Sequence, residues 1–154
     1  MNRACPYLEQ RTARHLEGLR NSQFKVKFQT VKELKSGDQK DEFNIRVESN
    51  TGGSSFDALS GGEQQIVSFS LGMALADLAE TQVEGKSNVL ILDECFTELD
   101  AINQEAVVDY INSDLRKTRE TILIISNEEH LKSLFPNQIH VVKENGISRI
   151  KNSV

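Results

Sequence analysis

From Asn2 to about Arg20 the apolar and semi-apolar residues Cys5, Leu8, Thr12, His15, Leu16 and Leu19 recur at spacings of three and four, with Glu9, Arg11, Arg14 and Glu17 between them. That period predicts an amphipathic helix over 1–20. The period then falls to two. Phe24, Val26 and Phe28 alternate with polar residues, and so do Phe43, Ile45 and Val47. With the polar insert SGDQKDE between the runs, 24–49 predicts a β-hairpin.

A glycine and serine loop from Asn50 to Ser55 leads to a segment, Gly61 to about Glu80, that is apolar on more than one face through Ile66, Phe69, Leu71, Met73, Leu75 and Leu78. Such a helix is expected to be buried. Its small residues Ser68, Ser70, Gly72, Ala74 and Ala76 are expected to let neighbouring backbones come close. NVLILDE and TILIIS are short continuous apolar runs on either side of a helix from about Ala101 to Lys117, which predicts a parallel βαβ unit. The tail carries two strand-like pieces around Asn145-Gly146, a dipeptide suited to a two-residue type I′ hairpin.

Composition narrows the class without deciding it. A chain of 154 residues with a formal charge of −5 is sized for one domain or lobe, and its charge excludes a strongly basic wrapper of nucleic acid. No apolar stretch approaches the roughly 20 residues that span a bilayer, and MNRACPYLEQR lacks the apolar core of a signal peptide. The expectation is no membrane partner and a cytoplasmic address. Cys5 and Cys95 stand far apart without metal-ligand spacing and read as plain thiols. His15, His130 and His140 form no metal-like cluster and read as surface or packing residues.

Two elements carry chemistry. In Leu59-Ser60-Gly61-Gly62-Glu63 a loop opens into a long helix: Ser60 can cap it, and two glycines let N–H groups converge at the positive end of the helix dipole. The site suits a terminal phosphate, or the glycines simply make a turn. Val89 to Glu94 is an apolar strand that ends in two adjacent carboxylates, Asp93 and Glu94, where open α/β sheets bind ligands. Adjacent acids repel unless a cation intervenes; a helix cap accounts for one of them but not for both. Mg²⁺ on nucleotide phosphates would be held by Asp93, leaving Glu94 to polarise a water.

In this order, LSGGE resembles the signature motif of ABC-type ATPases, VLILDE their Walker B strand, and Thr97-Glu98-Leu99-Asp100 their D-loop. Ile124-Ile125-Ser126-Asn127 stands where that superfamily has its switch-histidine strand. The first helix, the hairpin before the signature and the closing KENGISRI are similar to the DNA-repair branch, the SMC-like ATPases of the SbcC type. The resemblance covers Tyr7 to Lys151.

It implies an α/β fold, the C-terminal half of a P-loop ATPase head, with a parallel sheet, flanking helices and β-hairpins, its motif core lying over 59–151. It also implies ATP and Mg²⁺ as cofactors. Glu94 and Asn127 would be catalytic, Asp93 would hold the metal, and Ser60, Gly61, Gly62, Glu63 and Asp100 would meet nucleotide. Partners implied are an N-terminal phosphate-loop lobe, a second ATPase head in a head-to-tail dimer, an SbcD-type nuclease and DNA. The signature loop would then serve the nucleotide of the opposite head while Asp93 and Glu94 serve their own.

Asp100 would lie at the dimer interface and can equally cap the helix beginning at Ala101. Lys25, Lys27 and Arg46 on the polar side of the hairpin meet DNA phosphates or form a solvated face. The first helix is a docking surface for the nuclease or packs on the sheet.

Two departures stand out. Nothing matches G-x-x-x-x-G-K-[ST], so the chain reads as a separately encoded half or a piece of a longer protein, unable to bind ATP unaided. Asn127 replaces the usual histidine; an amide donates a hydrogen bond but cannot titrate, which implies slower hydrolysis, with His130 a weak substitute. Two other readings remain: a transporter ATPase fragment, and a non-catalytic lobe that pairs with another head.

Overall fold

The computed structural model describes residues 4–33, 39–50, 55–83 and 87–151, with backbone alone over 29–33 and 39–44. Helix α1 (Ala4–Gly18) buries Leu8, Thr12, His15 and Leu16, the stripe its period announced. It stops two residues before the expected Arg20. Arg20 takes a left-handed φ of 59°, Asn21 N–H donates to the Leu16 carbonyl and Arg20 N–H to that of Glu17, the paired bonds of a Schellman cap. Gly18 is required for another reason, since a Cβ there would run into the Tyr110 ring.

Strands β1 (Phe24–Glu33) and β2 (Gln39–Ser49) form the antiparallel hairpin, with Val26 opposite Val47 and Phe28 opposite Ile45. Strand β1 runs two residues past the alternating run FKVKFQTV, to Glu33, and β2 begins inside the expected insert, at Gln39. The tip of that insert, the side chain of Phe43 and the glycine and serine loop over 51–54 lie outside the described residues. The apolar face of the hairpin reaches the core through Phe24, Val26 and Val47. Glu9 on α1 ties the two elements, accepting from the Phe28 N–H and the Lys27 ammonium.

Helix α2 (Gly61–Glu80) buries Ile66, Val67, Phe69, Ser70, Met73 and Ala74. It is not covered all round. Leu75 is exposed, and a Cβ at Gly72 would meet nothing within 4 Å. The close approach expected of the small residues is confined to Ser70 and Ala74, because α1 packs along one side of α2 and the described chain puts nothing against Gly72.

Strand β3 (Val89–Asp93), helix α3 (Ala101–Ser113) and strand β4 (Thr121–Ile125) are the expected parallel unit, with Leu92 beside Ile124 and Asp93 beside Ile125. The helix is shorter than expected: Asp114 leaves helical geometry and a 3₁₀ turn over Leu115–Lys117 finishes the crossover. Leu90, Leu92, Ile122 and Ile124 face the core. Val89, Ile91, Leu123 and Ile125, on the opposite face, are exposed. Parallel strands apolar on both faces are ordinarily covered on both; the described residues cover one.

Helix α4 (Glu129–Ser133) sets the buried Leu131 in the core. Strands β5 (His140–Glu144) and β6 (Ile147–Lys151) form the last hairpin, whose Asn145 and Gly146 both have positive φ, 50° and 81°, as a type I′ turn demands. No helix among the described residues is long and apolar enough to cross a membrane.

Candidate functional site

Ser60 caps α2 reciprocally with Glu63. The Ser60 hydroxyl accepts from the Glu63 N–H at 3.4 Å, while the Glu63 carboxylate accepts from the Ser60 N–H at 2.8 Å and from its hydroxyl at 2.9 Å. This is a capping box. The structure therefore occupies Glu63 within the chain. Gln64 steadies the loop just before, donating to the carbonyls of Leu59 and Phe56. Gly61 and Gly62 follow at the exposed positive end of the helix, where first-turn N–H groups have no intrahelical acceptor.

Asp93 closes β3, and Glu94 turns the chain out of the sheet at a left-handed φ of 49°. The Glu94 N–H still bonds the Ile125 carbonyl at 2.9 Å, so the turn begins before the ladder ends. Both carboxylates are exposed and, among the described residues, have no hydrogen-bonding or ion-pairing partner. Beside them the half-buried Cys95 donates to the Asp93 carbonyl. Burial above all, and then the two carboxylates, push its thiol up, while that hydrogen bond pulls the other way.

The chain after Glu94 is folded back onto α2. Phe96 is buried against Phe69 with ring centroids 5.1 Å apart and planes at 60°. The Gln65 amide bonds the Thr97 hydroxyl and the Glu98 N–H, and a Cβ on Gly62 would lie 3.0 Å from the Glu98 carbonyl. Gln104 donates to the Leu99 carbonyl, and Asp100 caps α3 by accepting from Asn103 N–H at 2.8 Å. Ser126 and Asn127 leave β4 beside Asp93 and Glu94, since Asp93 and Ile125 are register partners on adjacent parallel strands. Asn127 is exposed.

The structure thus brings the LSGGE loop, the acid pair, Thr97 to Asp100 and Asn127 to the same end of the lobe. His130 and His140 are exposed. Sequence reasoning missed Gln64, Gln65 and Gln104. Their signal is the presence of amides at positions in or beside apolar helices, visible only once the loops they hold are placed. His15, read as packing, is buried in a hydrogen-bonded cluster with Asp77 and Tyr110.

Among the described residues no group of three or more His, Cys, Asp or Glu side chains is placed to hold a metal ion by itself. A cation held by one or two carboxylates and completed by phosphates and water needs no more than Asp93 and Glu94 provide.

A parallel strand pair ending in paired acids, with the segment after it braced against a capped helix, has the α/β arrangement of a fragment of an SMC-type ATPase head. The sequence profile described as "SbcC/RAD50-like, Walker B motif" matches residues 25–113, and the chain belongs to that family. It is 37% identical over 93 residues to the DNA double-strand break repair Rad50 ATPase of Archaeoglobus fulgidus, covering 60% of this chain and 10% of that protein. Over 95 residues it is 30% identical to the SbcC component of the nuclease SbcCD from Pseudomonas aeruginosa, covering 61% of this chain and 8% of that protein. The chain therefore spans about a tenth of these relatives' length.

Among solved structures, one from work on ATP-driven dimerization and DNA-stimulated activation of SMC ATPases superposes with a TM-score of 0.70 at 15% identity, covering 97% of this chain and 84% of the other. The SMC head domain from Thermotoga maritima gives 0.58 at 20% identity, covering 96% and 48%. These likenesses establish the fold.

Proposed function

We propose that the chain supplies the signature and Walker B half of an ATP-hydrolysing head that acts with a nuclease in DNA double-strand-break repair or recombination. The observation that carries this reading is the union of two chemistries: a capped helix N-terminus suited to phosphate stands against the loop that continues a strand ending in two free carboxylates. Asp93 binds the Mg²⁺ that accompanies ATP, and Glu94 polarises the attacking water. Asn127, at the neighbouring strand end, donates a neutral hydrogen bond toward the same phosphates. Ser60, Gly61 and Gly62 receive the γ-phosphate held by a second head, for which the Ser60 hydroxyl turns from the Glu63 carboxylate to the phosphate.

The missing phosphate-loop lobe is the natural cover for the exposed apolar face of β3 and β4. The apolar stripe of α1 is spent inside the chain, so a nuclease of the SbcD type meets only its outward face. Of the hairpin residues Lys25, Lys27 and Arg46, Lys25 and Arg46 are exposed and available to meet DNA, whereas Lys27 is engaged with Glu9.

The test is Ser60→Arg in the chain joined with a phosphate-loop lobe. A long cation at the helix N-terminus opposes the dipole and fills the space of the γ-phosphate. Nucleotide occupancy should persist while ATP-dependent dimers disappear on sizing with hydrolysis blocked. A variant that dimerises as readily as the native head would refute the assignment of the signature loop.

A further inference from the structure

Helix α2 presents Gly62, Gln65 and Phe69 along one stripe, at spacings of three and four, and each meets the segment Phe96 to Glu98 in a different way. Phe69 packs on Phe96 and sets the distance. Gly62 allows the Glu98 carbonyl to approach where a side chain would obstruct it, and Gly61 lies near the Glu98 carboxylate, 3.3 Å from where its Cβ would be. Gln65 fixes the register: its carbonyl oxygen accepts from the Glu98 N–H at 2.8 Å, and its amide nitrogen donates to the Thr97 hydroxyl at 3.2 Å. An amide offers both an acceptor and a donor at one side-chain end. A hydrocarbon there would leave the Glu98 N–H without its partner.

We propose that Gln65 is a positioning residue that locks the signature loop to the D-loop, so that closure of Ser60, Gly61 and Gly62 over one nucleotide moves Thr97 to Asp100 at the edge of the other. This rests on the head-to-tail reading above. The two loops are successive parts of one rigid unit: Gln65 lies in the second turn of the helix that Ser60 caps, and Asp100 begins the helix that Gln104 ties back to Leu99. A shift of the α2 N-terminus is then transmitted through two hydrogen bonds to a loop that lies between Glu94 and Asp100. The coupling makes hydrolysis at the two sites of a dimer interdependent.

The experiment uses the chain completed by its phosphate-loop lobe and compares native, Gln65→Leu, Gln65→Glu and Ser60→Arg. Gln65→Leu should keep nucleotide occupancy and ATP-dependent dimerisation within about threefold, lower kcat by about tenfold or more, and bring the Hill coefficient for ATP down to about one. Gln65→Glu keeps the acceptor for Glu98 N–H, and the Thr97 hydroxyl can turn to donate, so it should restore kcat to within about threefold of native.

If Gln65→Leu retains native kcat and Hill coefficient while Ser60→Arg abolishes dimers, the coupling is refuted and the parent reading stands. If Ser60→Arg dimerises normally, both fall. Loss of occupancy in Gln65→Leu together with loss of turnover would make it a packing residue only and overturn the proposal. Should that variant fail to fold, Thr97→Val removes one arm of the clamp from the far side, and an unchanged Hill coefficient there overturns it.

Discussion

Glu94 is held at a φ of 49°, a region that costs a side chain with a Cβ about 1 kcal/mol or more. The left-handed turn falls where Glu94 still donates to the Ile125 carbonyl as the chain leaves the sheet. Two substitutions separate the backbone from the carboxylate. Glu94→Gly and Glu94→Ala both remove the proposed base and should both reduce turnover of the completed head by about 10² or more. Glycine alone relieves the φ, so Glu94→Gly should be about 1 kcal/mol more stable than Glu94→Ala in denaturant unfolding. Equal stabilities would show that the turn stores no strain. The place of the acid pair at a strand end was legible because a continuous apolar run stops at two adjacent carboxylates. The positive φ was not, since glutamate carries no turn signal. Glu63 shows the converse: S-x-x-E is a capping-box pattern, and the structure uses it so, where the resemblance alone had assigned it to nucleotide.

Between elements, the joint of α1, α2 and α3 carries a buried polar cluster, although α1 was read as amphipathic with His15 on its apolar stripe and α2 as apolar on more than one face. His15 is buried between Asp77 and Tyr110, its Nε2 2.9 Å from the Asp77 carboxylate and its Nδ1 at the Tyr110 hydroxyl, and Arg11 pairs with the same carboxylate. A neutral imidazole satisfies both contacts, donating from Nε2 and accepting at Nδ1. Burial pushes the Tyr110 phenol up to about 12, so it remains a donor. Burial likewise pushes His15 below its usual value, ahead of the opposing pull of Asp77; Arg11 and Arg14 act in the same direction as burial. A histidine depressed in the folded state contributes stability that is full above its unfolded value, about 6.5, and is lost as pH falls toward its folded one, because the unfolded chain takes up the proton first. Melting temperature should therefore fall as pH drops from about 7.5 to 5.5, and His15→Gln, which keeps a donor and an acceptor, should flatten that slope. A native slope unchanged in the variant would remove His15 as its source. The helical period of α1 was plain in the sequence; its partners lie 62 and 95 residues away, and periodicity does not report on pairing at that range.

At the scale of the molecule, the continuous apolar runs of β3 and β4 belong to parallel strands that are ordinarily covered on both faces, and the described residues cover the one that carries Leu90, Leu92, Ile122 and Ile124. Periodicity records that a face is apolar, not which chain buries it. The same holds for α2, whose apolar Leu75 lies in the open. Ile91 is 59% exposed and Leu123 45%, on neighbouring strands and in register, so they form the centre of the uncovered face. If this face seats the phosphate-loop lobe, a charge there acts on assembly and not on folding. Ile91→Glu should leave the melting temperature of the isolated chain nearly unchanged, within about 0.5 kcal/mol of stability, because the side chain already meets water. Its affinity for the phosphate-loop lobe should fall by about 2 kcal/mol or more, roughly thirtyfold, since a buried isoleucine contributes about that much and a carboxylate would have to be desolvated in its place. Titration of the two lobes and melting of the chain alone decide the matter. A variant that binds the lobe as tightly as the native chain would place the seat elsewhere, and one that unfolds alone would show that the face is already part of this chain's own core.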